Sequence, residues 1–242
     1  MLPAGGAMKF NAYVDGFNLY KGALQKRPDL KWLNLRSLCQ SRWPEYELDK
    51  VYYFTSRIKE RFPLDSSPRR QHAYLRALEG SDVQIVLGRF VKKIDWLRMT
   101  SSIHKETIFP ELQDELGILQ LAFNESSRRA FPDEVTSRVW KFSEKGSDVN
   151  LASFLLRDVL TNETDGAMVI SADSDLATPV KIANLFGAKT RVILPAKRVP
   201  NSAISSVAMI TEDLQEEWLR EHQFNNRVMA INGKIISRPN SW

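Results

Sequence analysis

Sulfur chemistry and glycine-rich phosphate loops are nearly missing from this chain. One cysteine, Cys39, occurs in 242 residues. That excludes an internal disulfide framework and any cysteine-rich zinc site. The three histidines, His72, His104 and His222, have no mutual ligand spacing and read as structural or surface residues. No Gly-x-Gly-x-x-Gly, Walker or Gly-x-Ser-x-Gly segment occurs. This argues against a dinucleotide site, an ATP-hydrolysing site and a serine nucleophile elbow. No apolar run approaches the roughly 18–20 residues needed to cross a bilayer. The N-terminal MLPAGGAMKF lacks the charged-then-apolar layout of a signal peptide. Residues 1–8 therefore read as a leader, with Met8 a plausible alternative start, and the protein as cytoplasmic with no membrane partner.

What is present is an ordinary globular balance: 43% hydrophobic and 26% charged residues. With 34 Lys+Arg against 29 Asp+Glu the formal net charge is +5, which suits a polyanionic partner. Strand-length apolar runs occur at Phe10–Val14, Lys50–Thr55, Val83–Leu87, Ala167–Ser171 and Thr190–Leu194, with a shorter one at Val139–Phe142. Helical patterns lie between them at Leu33–Arg42, Ser67–Glu79, Asp148–Leu160 and Leu176–Phe186. Alternating buried strands and helices predict an α/β fold, a mostly parallel sheet with helices on both faces. Residues 92–137 are polar around a helical pattern at Pro110–Phe123 and read as an insertion or lid. Thr211–His222 reads as a helix capped by Thr211, and Asn232-Gly233 joins two β-like runs into a hairpin. The organisation expected is a domain over 9–200 with that insertion, then a C-terminal extension over 201–242. The hairpin is a possible homodimer contact.

In a parallel α/β sheet, ligands bind beyond the carboxyl ends of the strands. Asp15 follows the first run, with Asn18 three residues on; Asp148 opens a helix; Asp173 and Asp175 follow the AMVIS run, flanking Ser174. Converging carboxylates repel unless a cation neutralises them, and all-oxygen donors favour Mg²⁺ or Mn²⁺. Such a site suits phosphoryl displacement by an activated water. Arg57, Lys59, Arg61, Arg69 and Arg70 form a basic rim suited to phosphates, extended by Lys92, Lys93 and Lys145. Trp96 offers a stacking face or a packing residue.

Tyr13–Leu19 (YVDGFNL), Glu144–Ala152 (EKGSDVNLA) and Val169–Leu176 (VISADSDL) resemble, in order, the three signature blocks of NYN domains in the PIN-like superfamily of metal-dependent ribonucleases. The resemblance implies a PIN-like three-layer fold and a metal-dependent endoribonuclease acting on single-stranded or structured RNA. Asp15, Asp148, Asp173 and Asp175 would hold Mg²⁺ or Mn²⁺, supported by Asn18 and Ser174. The chain departs from the family pattern at Phe154, where another Asp is frequent, and at Ala172, where Gly is common. Two alternatives stay open: a non-catalytic RNA-binding or scaffold protein retaining the acidic pocket, and a phosphatase with Asp15 as nucleophile.

Overall fold

The computed structural model describes residues 8–60, 63–99, 135–195 and 203–242. The first strand, β1 (Lys9–Asp15), is buried from Phe10 onward. Its alternating side chains enter two different cores. Phe10, Ala12 and Val14 pack on one face of the sheet, and Tyr13 packs on the other. β1 pairs in parallel with β2 (Glu47–Thr55) on one side and with β6 (Gly166–Ile170) on the other. β3 (Val83–Leu87), β7 (Lys189–Leu194) and β8 (Ile210–Asp213) complete a six-stranded sheet in the order β3–β2–β1–β6–β7–β8. Every neighbouring pair is parallel. The order reverses direction at β1, as in doubly wound sheets, so a crevice opens at the carboxyl ends of β1 and β6.

Helices cover both faces. α1 (Gly16–Leu19) follows β1 directly; α2 (Leu35–Arg42) and α3 (Ser67–Gly80) contribute Leu38, Leu75 and Leu78 to the first core. Asn34 caps α2 by accepting the Ser37 N–H at 3.1 Å, and a proline sits in the first turn of α3, where its missing donor costs nothing. α4 (Ser147–Leu160) and α5 (Ala177–Leu185) fill the second core with Leu151, Leu155, Val180 and Ala183. The architecture is a three-layer α/β fold. Among the described residues no helix is long and apolar enough to cross a membrane.

β4 (Arg89–Met99) and β5 (Val135–Lys145) lie outside the main sheet and pair with each other. Residues Val91–Ser143 form a compact unit of their own, and the rest of the chain forms another. The helical pattern at Pro110–Phe123 lies outside the described residues.

The C-terminal region corrects one expectation. Thr211 caps no helix, because Ile210–Asp213 forms β8 against β7, and α7 (Glu216–Glu221) begins only after Gln215. β-branched Ile210 and Thr211 beside an open parallel edge gain a ladder that the helix would forgo. The short α6 (Ala203–Val207) precedes it. The hairpin is as expected: β9 (Arg227–Met229) and β10 (Ile235–Ser237) pair antiparallel, with Gly233 at φ +75° in the turn.

A carboxylate with no surface exposure fastens α4 to β1. Asp158 Oδ2 accepts from Asn11 Nδ2 and from the Tyr13 hydroxyl, each at 2.9 Å, and Oδ1 accepts from the Arg157 guanidinium. Burial first, then the Asp158 charge, pushes the Tyr13 phenol well up, so it stays a donor. Replacing Asp158 with Ala strands these donors in the core. The expected loss of unfolding free energy is about 3 kcal/mol, read as a lowered midpoint in urea titration.

Candidate active site

Three turns meet at the carboxyl edge of β1 and β6. Asp15 ends β1 and caps α1: Oδ1 accepts the Asn18 N–H at 2.9 Å, and Oδ2 accepts the Ser171 hydroxyl at 3.0 Å. Asn18 Oδ1 in turn accepts the Ala172 N–H at 3.0 Å. Asp173 donates its N–H to Ser171 Oγ at 3.1 Å and caps the following turn by accepting the Asp175 N–H at 3.0 Å. The turn after β1 is thereby stitched to the turn after β6. Asp148 stands in the first turn of α4, which starts at Gly146 with φ +93°. A side chain at 146 would be strained in that left-handed conformation.

Sequence reasoning missed Glu144, Ser171 and Tyr53 here. Glu144 Oε1 accepts the Ser147 N–H at 3.1 Å and also the Ser147 hydroxyl, bracing the start of α4. An acid three residues ahead of a helix-start serine was its only signal. Ser171 lies one residue beyond β6 and is fully buried. Tyr53 on β2 sits so close to Gly16 that an added Cβ would come within 2.7 Å of its hydroxyl. Burial, and secondarily the Asp15 charge, push the Tyr53 phenol up, so it too stays protonated.

The acids feel one another. Partial desolvation, followed by the charges of Asp15, Asp173, Glu144 and Asp175, pushes Asp148 up to about 6. Asp15 is raised by burial and by Asp173 and Glu144, although the bonds from Asn18 and Ser171 pull it back. The sequence-derived acids Asp15, Asp148, Asp173 and Asp175 thus share one electrostatic site, with Asn18 as a bridge between turns and Ser174 exposed at its margin. The metal centre expected from them is corrected. Among the described residues no group of three or more Asp, Glu, His or Cys side chains could hold a metal ion. Asp15 and Asp173 direct oxygens to backbone N–H and hydroxyl donors of their own turns.

Position 154, where the family pattern often has an acid, belongs to aromatic packing. Phe154 meets Tyr52 and Phe54 edge-on at ring separations of 5.2 and 5.7 Å, under the Arg157 guanidinium at 4.3 Å.

The residues of the expected basic rim fall in both compact units. Arg57 and Arg69 are exposed, whereas Lys59 and Arg70 line an aromatic cavity of about 400 Å³ beside Gly16 and Phe17. Lys92 and Lys93 belong to the second compact unit, where Lys93 pairs with Asp95 at 3.2 Å; exposed Trp96 is there too. Lys145 is exposed at the end of β5. Arg61 and His104 lie outside the described residues. His222 bridges Ser37 and Ser41 at 2.8 and 2.9 Å, a structural role, and burial holds its pKa below the ordinary value.

No family model matches the chain. The chain is similar to 6-hydroxy-3-succinoylpyridine 3-monooxygenase HspA of Pseudomonas putida, at 25% identity over 264 residues, covering 97% of this chain and 75% of that protein. A crystal structure of a protein of unknown function from Vibrio parahaemolyticus aligns with a TM-score of 0.44 at 13% identity, over 89% of this chain and 98% of that one. The similarity to a monooxygenase overturns the expected endoribonuclease activity. The motif blocks that suggested a nuclease are short turns around acids, whereas this similarity runs over nearly the whole chain.

The electrostatics give a direct check. The Asp148 carboxyl should titrate near pH 6 in a carbon-detected NMR titration, and Asp173→Asn should move it toward the ordinary carboxylate range by removing a like charge. Because the folded-state pKa lies above the unfolded one, the native protein binds more protons between about pH 4 and pH 6. Stability therefore falls as pH rises through that window, and Asp148→Asn should flatten the fall.

Proposed function

We propose that the protein is an enzyme of the monooxygenase class, acting on a small organic substrate at the carboxylate edge of the main sheet. The observation that carries this reading is the span of the similarity to HspA, 97% of the chain. Monooxygenation places one atom of dioxygen in the substrate and the other in water, taking two electrons from an external donor. Such chemistry needs a group that handles protons near neutral pH, and efficient acid–base groups titrate near the working pH. Asp148, pushed up to about 6, meets that requirement. At neutral pH it is mostly ionised, ready to accept the proton of an acidic substrate hydroxyl and so enrich the carbon to be oxygenated. Asp15, fixed by Asn18 and Ser171, keeps the local field negative and the acceptor basic.

An oxygen electrode tests this with 6-hydroxy-3-succinoylpyridine as probe and a two-electron reductant, free reduced flavin and NADH in turn, as electron donor. The expected result is dioxygen uptake that needs both probe and reductant, matched by oxidation of the reductant and by a product one oxygen richer. The rate should rise through about pH 6 as Asp148 ionises. Asp148→Asn should lower kcat by about 10²-fold or more. Failure to consume dioxygen with this and other hydroxylated aromatic acids sinks the reading.

A further inference from the structure

The cavity beside Gly16 has a chemistry of its own. Its volume is about 400 Å³, enough for one or two fused rings with a short side chain. Phe17, Tyr20, Tyr53, Tyr74 and Phe90 supply ring surface to its walls. Phe17 and Phe90 lie nearly parallel, 13° apart with centroids separated by 6.5 Å, and Tyr20 remains 41% exposed despite its neighbours. The backbone widens into a π turn at Tyr20–Leu24, an uncommon local geometry that turns Tyr20, Lys21 and Leu24 toward the same space.

Charge in this cavity is of one sign. Lys21, Lys31, Lys59 and Arg70 line it, and no acidic side chain does so among the described residues. Some cations elsewhere in the same compact unit are paired, among them Lys50 with Glu163 at 2.7 Å, Arg191 with Glu212 at 2.9 Å and Arg220 with Glu216 at 2.8 Å. Two of the lining cations meet a ring and a hydroxyl: Lys31 Nζ stands 5.3 Å from the Tyr20 ring centre, and Arg70 donates to the Ser67 hydroxyl at 2.9 Å. Aromatic walls under cations with no carboxylate partner among the described residues are complementary to a flat ring carrying a negative group.

We infer that this cavity binds a planar aromatic carboxylate and that it is the substrate pocket of the activity proposed above, on which the second part of the inference rests. Gly16 belongs both to the cavity wall and to the turn after Asp15, so the pocket adjoins the acidic edge. The field orients the ligand: its carboxylate is drawn to the lysines and repelled by the Asp15, Asp148 and Asp173 group. The end of the ring opposite the carboxylate then faces the acidic edge across Gly16. Tyr53, neutral and against Gly16, stands between the two regions.

Titration calorimetry with 6-hydroxynicotinate tests the binding separately from turnover. Two controls dissect it: 2-hydroxypyridine keeps the ring without the charge, and cyclohexanecarboxylate keeps the charge without a flat ring. 6-Hydroxynicotinate should bind at least about tenfold tighter than either control. Phe17→Leu and the double change Lys31→Gln with Lys59→Gln should each weaken it by about tenfold or more, while circular dichroism and urea midpoints stay unchanged. Equal affinity for a control, parental affinity in both variants, or no heat up to roughly 10 mM ligand overturns the pocket. Binding that survives in a protein unable to consume dioxygen would retain the pocket and remove the oxygenase reading. Oxygenation that persists undiminished in the variants would do the reverse.

Discussion

Everything at the active edge depends on one buried carboxylate some distance from it. Asp158, near the C-terminal end of α4, holds Asn11 and Tyr13 of the central strand. α4 carries Asp148 at its other end, ten residues or about 15 Å away at 1.5 Å per residue. The clamp on Asn11 and Tyr13 thus sets how α4 lies along β1, and with it where Asp148 stands relative to Asp15. A charge in the core is costly unless its bonds are made, and here Arg157, Asn11 and Tyr13 make them. The same bonds admit one registry of helix on strand, because a shift of either would leave the carboxylate unmatched.

The acids of the site also serve the turns that carry them. Each of Asp15, Asp173 and Glu144 spends an oxygen on a turn or helix start, and in each case the donors are backbone N–H or serine hydroxyl groups. These bonds offset part of the mutual repulsion. Asp148 makes no such bond among the described residues, and desolvation together with its acidic neighbours raises its pKa.

Much of the fold was legible in the sequence because parallel, doubly buried strands are short uninterrupted apolar runs. Val83–Leu87 matches its strand end for end, and Phe10–Val14 and Thr190–Leu194 differ from theirs by a residue or so. Asp15, Asp148, Asp173 and Asp175 were legible as a group because strand ends in such sheets share an edge. The reading failed where tertiary partners decide. Ile210–Asp213 became a strand only because β7 offers it an edge. Asp158 falls within the helical pattern at Asp148–Leu160 with nothing to single it out, and only the fold brings Asn11 and Tyr13 to it from some 145 residues away. The cavity is harder still to foresee, since Phe17, Tyr53, Arg70 and Phe90 come from separate elements and no spacing links them.

The position of β1 has a consequence for how the chain is made. Its partners are β2 and β6, and the second of these ends at Ile170. During synthesis the first strand leaves the ribosome early, pairs on one side once β2 follows, and then waits for more than a hundred further residues with its other edge open. An exposed parallel edge backed by Phe10, Ala12 and Val14 is a template for the wrong neighbour. Until β6 is made, that edge has to be kept from pairing with another chain.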